Sequence, residues 1–246
     1  MEAILLLLSY GADINAPAGK FSGRTALQAA ASAAKLVPCF TREFGHFGLE
    51  RLTYNDSPYP EIVELLLLRQ ADVNASAAKE FGRTALQAAT SSECPDPRIV
   101  TLLLDHGADV NAAPAEIGGV TALQGAAIKG DMEIAKILLK HKADVNAAPA
   151  LKKGRTAMEG AAEHGRMDMV RWLINSGAEP DPVNGLSRAI ELADENEHFF
   201  IVILLQDVEE FYESKRCSDL LNTMPWSLLP DRGMVMNEEE EDGHSS

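Results

Sequence analysis

One order of residue types returns through most of the chain, and this repetition limits the possible folds more than any other feature. Each copy opens on a threonine, at Thr25, Thr84, Thr121 and Thr156, and the last three lie 37 and 35 residues apart. Each copy ends near an acidic residue, at Asp13, Asp72, Asp109, Asp144 and Glu179. A period of thirty-odd residues is typical of stacked supersecondary units. The chain is therefore predicted to fold as a repeat array whose core runs from unit to unit.

Each copy predicts a pair of helices joined by a short turn. Thr121 and Gln124 have the spacing of a capping box, which marks the start of a helix. The same pairing recurs at Thr25/Gln28, Thr84/Gln87 and Thr156/Glu159. The first helix is short and rich in alanine. The second helix carries apolar residues at a spacing of one, three and four, which places them on one helix face, as in Ile134, Ala135, Ile137 and Leu138.

The end of each second helix predicts a left-handed residue. Gly11, Gly107 and Gly177 occupy this place, where glycine ends a helix at little cost. Gln70 and Lys142 occupy it in the other copies, and the same backbone conformation would cost each about 1 kcal/mol. The residues that follow are rich in Ala, Pro, Gly and Lys, and they are predicted to protrude as a hairpin-like loop.

The sequence Gly-Ala-Asp-Val-Asn, followed after the loop by Gly-Arg-Thr-Ala-Leu-Gln, resembles the ankyrin repeat, and especially the variant found in filamentous-fungal arrays. The more widespread version reads Thr-Pro-Leu-His. Here alanine replaces the proline at Ala26, Ala85, Ala122 and Ala157, and Gln or Glu replaces the histidine. The resemblance implies an all-α solenoid of stacked helix-turn-helix units with hairpin-like loops.

The resemblance covers residues 2–214 and predicts the domain organisation. We expect an N-terminal half repeat at 2–14, full repeats at about 15–74, 75–111, 112–146 and 147–179, a degenerate C-terminal cap at 180–214, and a tail at 215–246 that is disordered from about residue 237. The first segment matches a second helix without its first helix. This suggests that the chain is the C-terminal part of a longer array, which upstream coding sequence would test.

The first full repeat carries an insertion at 35–58. It follows neither a helical nor a strand period and contains three phenylalanines. Two interpretations stay open. It is either a partner-binding loop, since long insertions at loop tips are often functional, or a short retained intron translated in frame, which spliced transcript reads would reveal.

Charge and cysteine content restrict the partners and the compartment. The net charge is −15, with 20 acidic and 18 basic residues up to position 178 but 17 acidic and 4 basic residues beyond it. Nucleic acid is therefore an unfavourable partner, since phosphate binding needs clustered Lys and Arg. The three cysteines, Cys39, Cys94 and Cys217, form no Cys-x-x-Cys pair and are predicted to be free thiols. We expect an intracellular protein, in the cytoplasm or nucleus, without a secretory signal or membrane span.

The sequence carries no recognisable catalytic motif. A phosphate-binding Gly-x-x-x-x-Gly-Lys-Ser/Thr loop, His-Glu-x-x-His and Gly-x-Ser-x-Gly are all absent. We therefore expect no enzymatic activity, no cofactor and no metal site.

The resemblance implies a protein-protein interaction scaffold that binds through its loop tips and the concave face of its first helices. Side chains that vary between copies are the candidates for partner binding: Lys20, Phe21, Lys79, Glu80, Phe81, Glu116, Ile117, Lys129, Leu151, Lys152, Lys153, Glu163 and His164. An apolar residue lies beside a charge near each loop tip, and packing between loops is the alternative explanation for it. The partner is predicted to be a protein and the chain to be monomeric. A second hypothesis makes the chain the C-terminal sensor arm of a larger fungal NACHT-type nucleotide-binding signalling protein.

Overall fold

The computed structural model describes residues 2–18, 23–32, 58–179 and 186–223, and within them the chain forms eleven helices and no strand. The helices are α1 (Glu2–Ser9), α2 (Ala26–Ser32), α3 (Pro58–Leu68), α4 (Ala85–Thr90), α5 (Pro97–Asp105), α6 (Ala122–Lys129), α7 (Met132–Lys140), α8 (Ala157–Glu163), α9 (Met167–Asn175), α10 (Ser187–Glu195) and α11 (Phe199–Thr223). The all-α prediction is confirmed.

The capping boxes form as the repeated threonines predict. In α4, α6 and α8 the Thr hydroxyl accepts a hydrogen bond from the amide three residues on, and the Gln or Glu side chain accepts one from the Thr amide. Thr25 and Gln28 make the same pair of bonds before α2. These bonds satisfy amides that have no partner within the helix. The first helix of each pair therefore starts at a position set by three or four residues of local sequence.

The second helices end in the predicted left-handed conformation. Gln70 and Lys142 both have φ of +66°, matching Gly11, Gly107 and Gly177 in the equivalent places. A non-glycine residue accepts this conformation only when the surrounding structure requires it. The chain therefore keeps one turn geometry in every unit, even where the sequence lacks the residue that suits it best.

The helices pack in two rows. The first helices α2, α4, α6, α8 and α10 each contact the next in the series, and the second helices α3, α5 and α7 do the same. The interior of the rows is apolar, and Ile99, Ile134 and Met169 are at most 4% exposed. Full burial of such a side chain contributes about 1.5–3 kcal/mol. Because each pair hides its apolar face against its neighbours, the core is continuous along the repeats.

Backbone contacts divide the chain into two compact units, Met1–Gln206 and Asp207–Ser246. The first unit holds the helix pairs as far as Gln206, which lies within α11. The last pair begins at α10, whose N-cap Leu186 makes no side-chain capping bond. Helix α11 ends at Thr223, whereas its second-helix pattern was predicted to end at residue 214.

The prediction of three free thiols is wrong at Cys94, which is disulfide-bonded. The side chains of the two other cysteines lie outside the described residues. Cysteine usage therefore no longer supports a reducing compartment. The insertion predicted at 35–58 falls outside the described residues except for Pro58, where α3 begins, and so does the segment predicted to be disordered.

Candidate protein interface

The buried glutamines of the capping boxes tie each unit to the next. The side-chain amide of Gln124 donates to the carbonyl oxygens of Ala147 (3.0 Å) and Ala148 (3.2 Å) in the following loop. Gln87 and Gln28 make the equivalent bonds one and two units earlier. All three side chains are only 1% exposed. The base of each loop is therefore fixed to the helix start of the preceding unit.

A second set of bonds joins the units through the asparagine that directly precedes these alanines in each loop. The Asn111 side chain accepts from the Asp144 amide at 2.8 Å and donates to the Lys142 carbonyl at 3.0 Å. Asn15, Asn74 and Asn146 repeat this pattern with the next unit. Because each asparagine bonds both a donor and an acceptor of the following turn, neighbouring units cannot slide past one another without breaking two bonds.

The loops close so tightly that only glycine fits at one position. A Cβ on Gly119 would lie 2.2 Å from the Ala115 nitrogen, and Gly82 and Gly154 approach the alanine four residues earlier in the same way. At this contact the two arms of each loop lie against each other, and the three residues before the glycine protrude from the loop. From the residue pattern alone, these glycines are predicted only as loop residues.

The loop tips form a row joined by backbone hydrogen bonds. We define the tip row as residues 79–81, 116–118 and 151–153. Parallel bridges link Glu80 to Ile117 and Ile117 to Lys152. Phe81 donates to Ile117, Gly118 donates to Lys152 at 2.9 Å, and Lys152 donates to Glu116 at 3.1 Å. The structure therefore brings together eight of the predicted site residues: Lys79, Glu80, Phe81, Glu116, Ile117, Leu151, Lys152 and Lys153.

The tip row presents its side chains to solvent. Leu151 is 87% exposed and Phe81 is 54% exposed, whereas Ile117 is half-buried. The Phe81 ring lies against Gly118 in the next loop, where an added Cβ would come within 2.4 Å of the ring. Phe81 therefore both packs on the neighbouring loop and leaves half of its surface free. The predicted site residues Lys20 and Phe21 lie outside the described residues.

The other predicted site residues lie at the ends of the first helices and are partly engaged within the chain. Lys129 forms an ion pair with Glu93 at 3.2 Å, and Glu163 forms one with Arg155 at 2.8 Å. The exposed His164 caps α8, with its Nδ1 3.0 Å from the Gly160 carbonyl oxygen. A partner that used these charges would have to replace existing ion pairs.

Arg83, at the base of the second full repeat's loop, is half-buried. Burial lowers the pKa of its guanidinium, the nearby charge of Arg24 lowers it further, and Glu93 acts in the opposite direction. The charges of Arg24 and Glu93 therefore act on Arg83 in opposite directions, and burial is the largest cause of its lowered pKa.

A cleft of about 700 Å³ lies between the loops of the first two full repeats. Its walls are formed by Ile14, Asn15, Pro17, Ala18, Thr25 and Leu27 on one side, and by Ala71, Asp72 and Ala75–Glu80 on the other. Within the described residues, no three His, Cys, Asp or Glu side chains come close enough together to hold a metal ion. Across the same part of the chain, every helix is too short or too polar to cross a bilayer.

Stacked helix pairs that carry a registered row of exposed loops define a repeat protein in which a fixed frame presents variable side chains. The family profile described as Ankyrin repeats (3 copies) matches residues 52–149 and 114–184, which together span more than half of the chain. The chain therefore belongs to the ankyrin repeat family, whose members generally mediate protein-protein interactions and are generally not catalytic. No curated protein matches the sequence.

Proposed function

We propose that this chain is a non-catalytic scaffold that binds a protein partner through its tip row and the neighbouring ends of its first helices. The observation that carries this proposal is the contrast between frame and tips. The bonds of the buried Gln and the exposed Asn side chains repeat from unit to unit, whereas the residues in register at the tips differ in charge and shape. Exposed side chains on a rigid frame form a surface that loses little conformational entropy when it binds.

The composition of the tip row supports a protein partner. Exposed apolar side chains, Phe81 and Leu151, alternate with exposed charges of both signs, such as Lys79, Glu80 and Lys152. A protein interface combines apolar contacts with polar groups that fix its register. The mixture of charges does not form the basic surface that nucleic acid binding needs.

Photo-crosslinking tests this proposal in extracts of the native cell. A photoreactive amino acid at position 151 of the full chain should form a crosslink to one dominant protein, identified by mass spectrometry. The matched control carries the same amino acid at position 136, where Lys136 is also exposed but lies on the second helix α7. Equal labelling of the same protein from both positions would contradict binding at the tips.

The double substitution F81S/I117S should weaken capture of that protein at least about tenfold, because it removes two of the apolar tip contacts. The free energy of unfolding, followed by thermal denaturation, should change by less than about 1 kcal/mol, since Phe81 is half exposed. A large loss of stability would assign both residues to packing between loops instead.

We also propose, from the sequences of the repeats, that the array is of the filamentous-fungal type and that the chain is intracellular. The sensor arm of a NACHT-type protein is the alternative function. In-frame coding sequence with a phosphate-binding loop upstream of Met1 would support this alternative, and a monomer in light scattering would support the predicted oligomeric state.

A further inference from the structure

Within the described residues the tip row ends at 151–153, and the following unit differs from the others in its spacing. The Glu179 amide donates to Asn146 in the same way as the Asp144 amide donates to Asn111, so these two acidic residues are equivalent. From Asp144 the chain takes twelve residues to reach the helix N-cap Thr156, but from Glu179 it takes only seven to reach the N-cap Leu186. The residue that would correspond to Lys152 is Ser187, which already lies in α10. The connection after Glu179 is therefore five residues shorter than the one that carries Lys152.

At this end of the row, one backbone donor and one backbone acceptor are open among the described residues. Along the row, the residue after each bridge donates its amide to the next tip, as Gly118 does to Lys152, and the residue before it accepts, as Glu116 does from Lys152. The equivalent groups at the end of the row are the amide of Lys153 and the carbonyl oxygen of Leu151. Neither group has a hydrogen-bond partner in the part of the chain that the structure describes. An unpaired donor and acceptor at the end of a row of β-bridges form a ready site for another strand.

The side chains around this open edge favour one kind of partner segment. Leu151 is 87% exposed, and both lysines beside it are exposed and form no ion pair within the described residues. The edge thus offers two positive charges and one apolar contact next to the open backbone groups. We propose that an extended, acidic segment of a protein partner adds to the tip row at Lys152. Its backbone N–H donates to the Leu151 carbonyl, its carbonyl accepts from the Lys153 amide, and its carboxylates lie near Lys152 and Lys153.

This inference rests on the proposed scaffold function and specifies the class of partner. Strand addition obtains affinity from main-chain hydrogen bonds and specificity from alternate side chains. The left-handed conformation of Lys153, with φ of +58°, is shared with Phe81 and Gly118. Because those two residues already donate their amides along the row, Lys153 holds the same geometry before any partner arrives. The edge is therefore preorganised, which lowers the entropic cost of binding.

Amide hydrogen exchange in the free full chain tests whether the edge is open. We expect the Lys153 amide to exchange at least about tenfold faster than the Gly118 amide, because only Gly118 donates within the row. Equal protection of both amides would mean that the edge is already occupied, and it would overturn the proposal.

A defined peptide tests the strand addition itself. The probe is the blocked pentapeptide Val-Glu-Val-Glu-Val, titrated into the isotope-labelled full chain and followed by NMR. We expect the largest shifts at the amides of residues 151–153. In a strand, the backbone N–H groups of alternate residues face the same edge. N-methylation of one set of residues, either the valines or the glutamates, should therefore weaken binding at least about tenfold. N-methylation of the other set should have a smaller effect. Equal binding of both N-methylated peptides, or shifts centred elsewhere, would refute the pairing.

Charge variants of the chain complete the test. The substitution K152E/K153E should weaken binding of the probe about tenfold or more. The matched control K136E/K140E makes the same charge change at two exposed lysines of α7, outside the tip row, and should leave binding nearly unchanged. If the probe does not bind although position 151 crosslinks to a cellular protein, the scaffold function stands and the acidic strand partner is wrong.

Discussion

The substitution Q124E tests whether the buried glutamines hold neighbouring units together. Glutamate has the shape of glutamine and can still accept a hydrogen bond from the Thr121 amide, as Glu159 accepts one from the Thr156 amide in the next unit. It cannot donate to the carbonyl oxygens of Ala147 and Ala148, which are 3.0 and 3.2 Å from the Gln124 amide nitrogen. Only the link to the following unit is removed, and the capping box is retained.

The expected loss of stability follows from these contacts. Two hydrogen bonds of about 1 kcal/mol each are lost. A carboxylate at a site that is 1% exposed and faces two carbonyl oxygens adds an unfavourable charge. We therefore expect Q124E to lower the free energy of unfolding by about 3 kcal/mol at pH 7.

The loss should depend on pH in one direction. Burial without a positive partner raises the pKa of the introduced carboxyl in the folded state above its unfolded value of about 4.3. Such a group stabilises the folded state below its unfolded pKa, and this contribution is lost as pH rises through the folded pKa. The difference between Q124E and the parent chain should therefore shrink between pH 7 and pH 4.

Urea unfolding followed by circular dichroism at several pH values measures these differences. The matched control is E159Q, which makes the reverse change in the unit where Glu159 lies 3.6 Å from the half-exposed Arg188. It should change stability by less than about 1 kcal/mol, because a partly exposed ion pair contributes little. Equal stability of Q124E and the parent chain at pH 7, or a loss that does not vary with pH, would refute the reasoning.

Three further substitutions test the loops and helix ends by thermal or urea unfolding. G119A should destabilise the chain by about 2–4 kcal/mol, since the new Cβ would lie 2.2 Å from the Ala115 nitrogen; a neutral result would show that the loop can open. K142G should stabilise it by up to about 1 kcal/mol by relieving the left-handed conformation, and a loss of stability would argue against this strain. D96A should cost about 1 kcal/mol at pH 7, because Asp96 caps α5. Burial raises the pKa of Asp96, but hydrogen bonds and charge from Arg98 outweigh it and lower the pKa overall. The contribution of this carboxylate is thus present above its unfolded pKa and lost as pH falls through the lower folded pKa, so a constant difference between pH 7 and pH 2 would contradict it.

The local features of each unit could be read from neighbouring residues in the sequence. A capping box needs only Thr121 and Gln124, and the buried face of α7 needs only the spacing of Ile134, Ala135 and Leu138. The left-handed turn at Lys142 was predictable because glycine occupies the equivalent place in other units. In each case the interacting groups lie within one or two helical turns, where sequence spacing translates directly into distance.

The candidate site was only partly predictable, because its contacts join residues that are far apart in the sequence. Variation between repeats identified the tip residues, but not that Glu80, Ile117 and Lys152 stand in one hydrogen-bonded row. The exposure of Leu151 and the contact of the Phe81 ring with Gly118 also depend on the neighbouring loop. The glycines at 82, 119 and 154 recur at a fixed distance from each capping threonine, and this signal could have identified the tight loop closure.

The repeated sequence by itself determined the helix pairs, their ends and the faces that they bury, since these follow from backbone hydrogen bonds and apolar spacing within a single unit. Only the tertiary structure decided how the units are joined and where the interface lies. The Gln124 and Asn111 side chains bond to groups 23–33 residues away, and the position of the edge at Lys152 follows from the pairing of its loop with Ile117. Such contacts depend on how neighbouring units stack, and no single repeat contains that information.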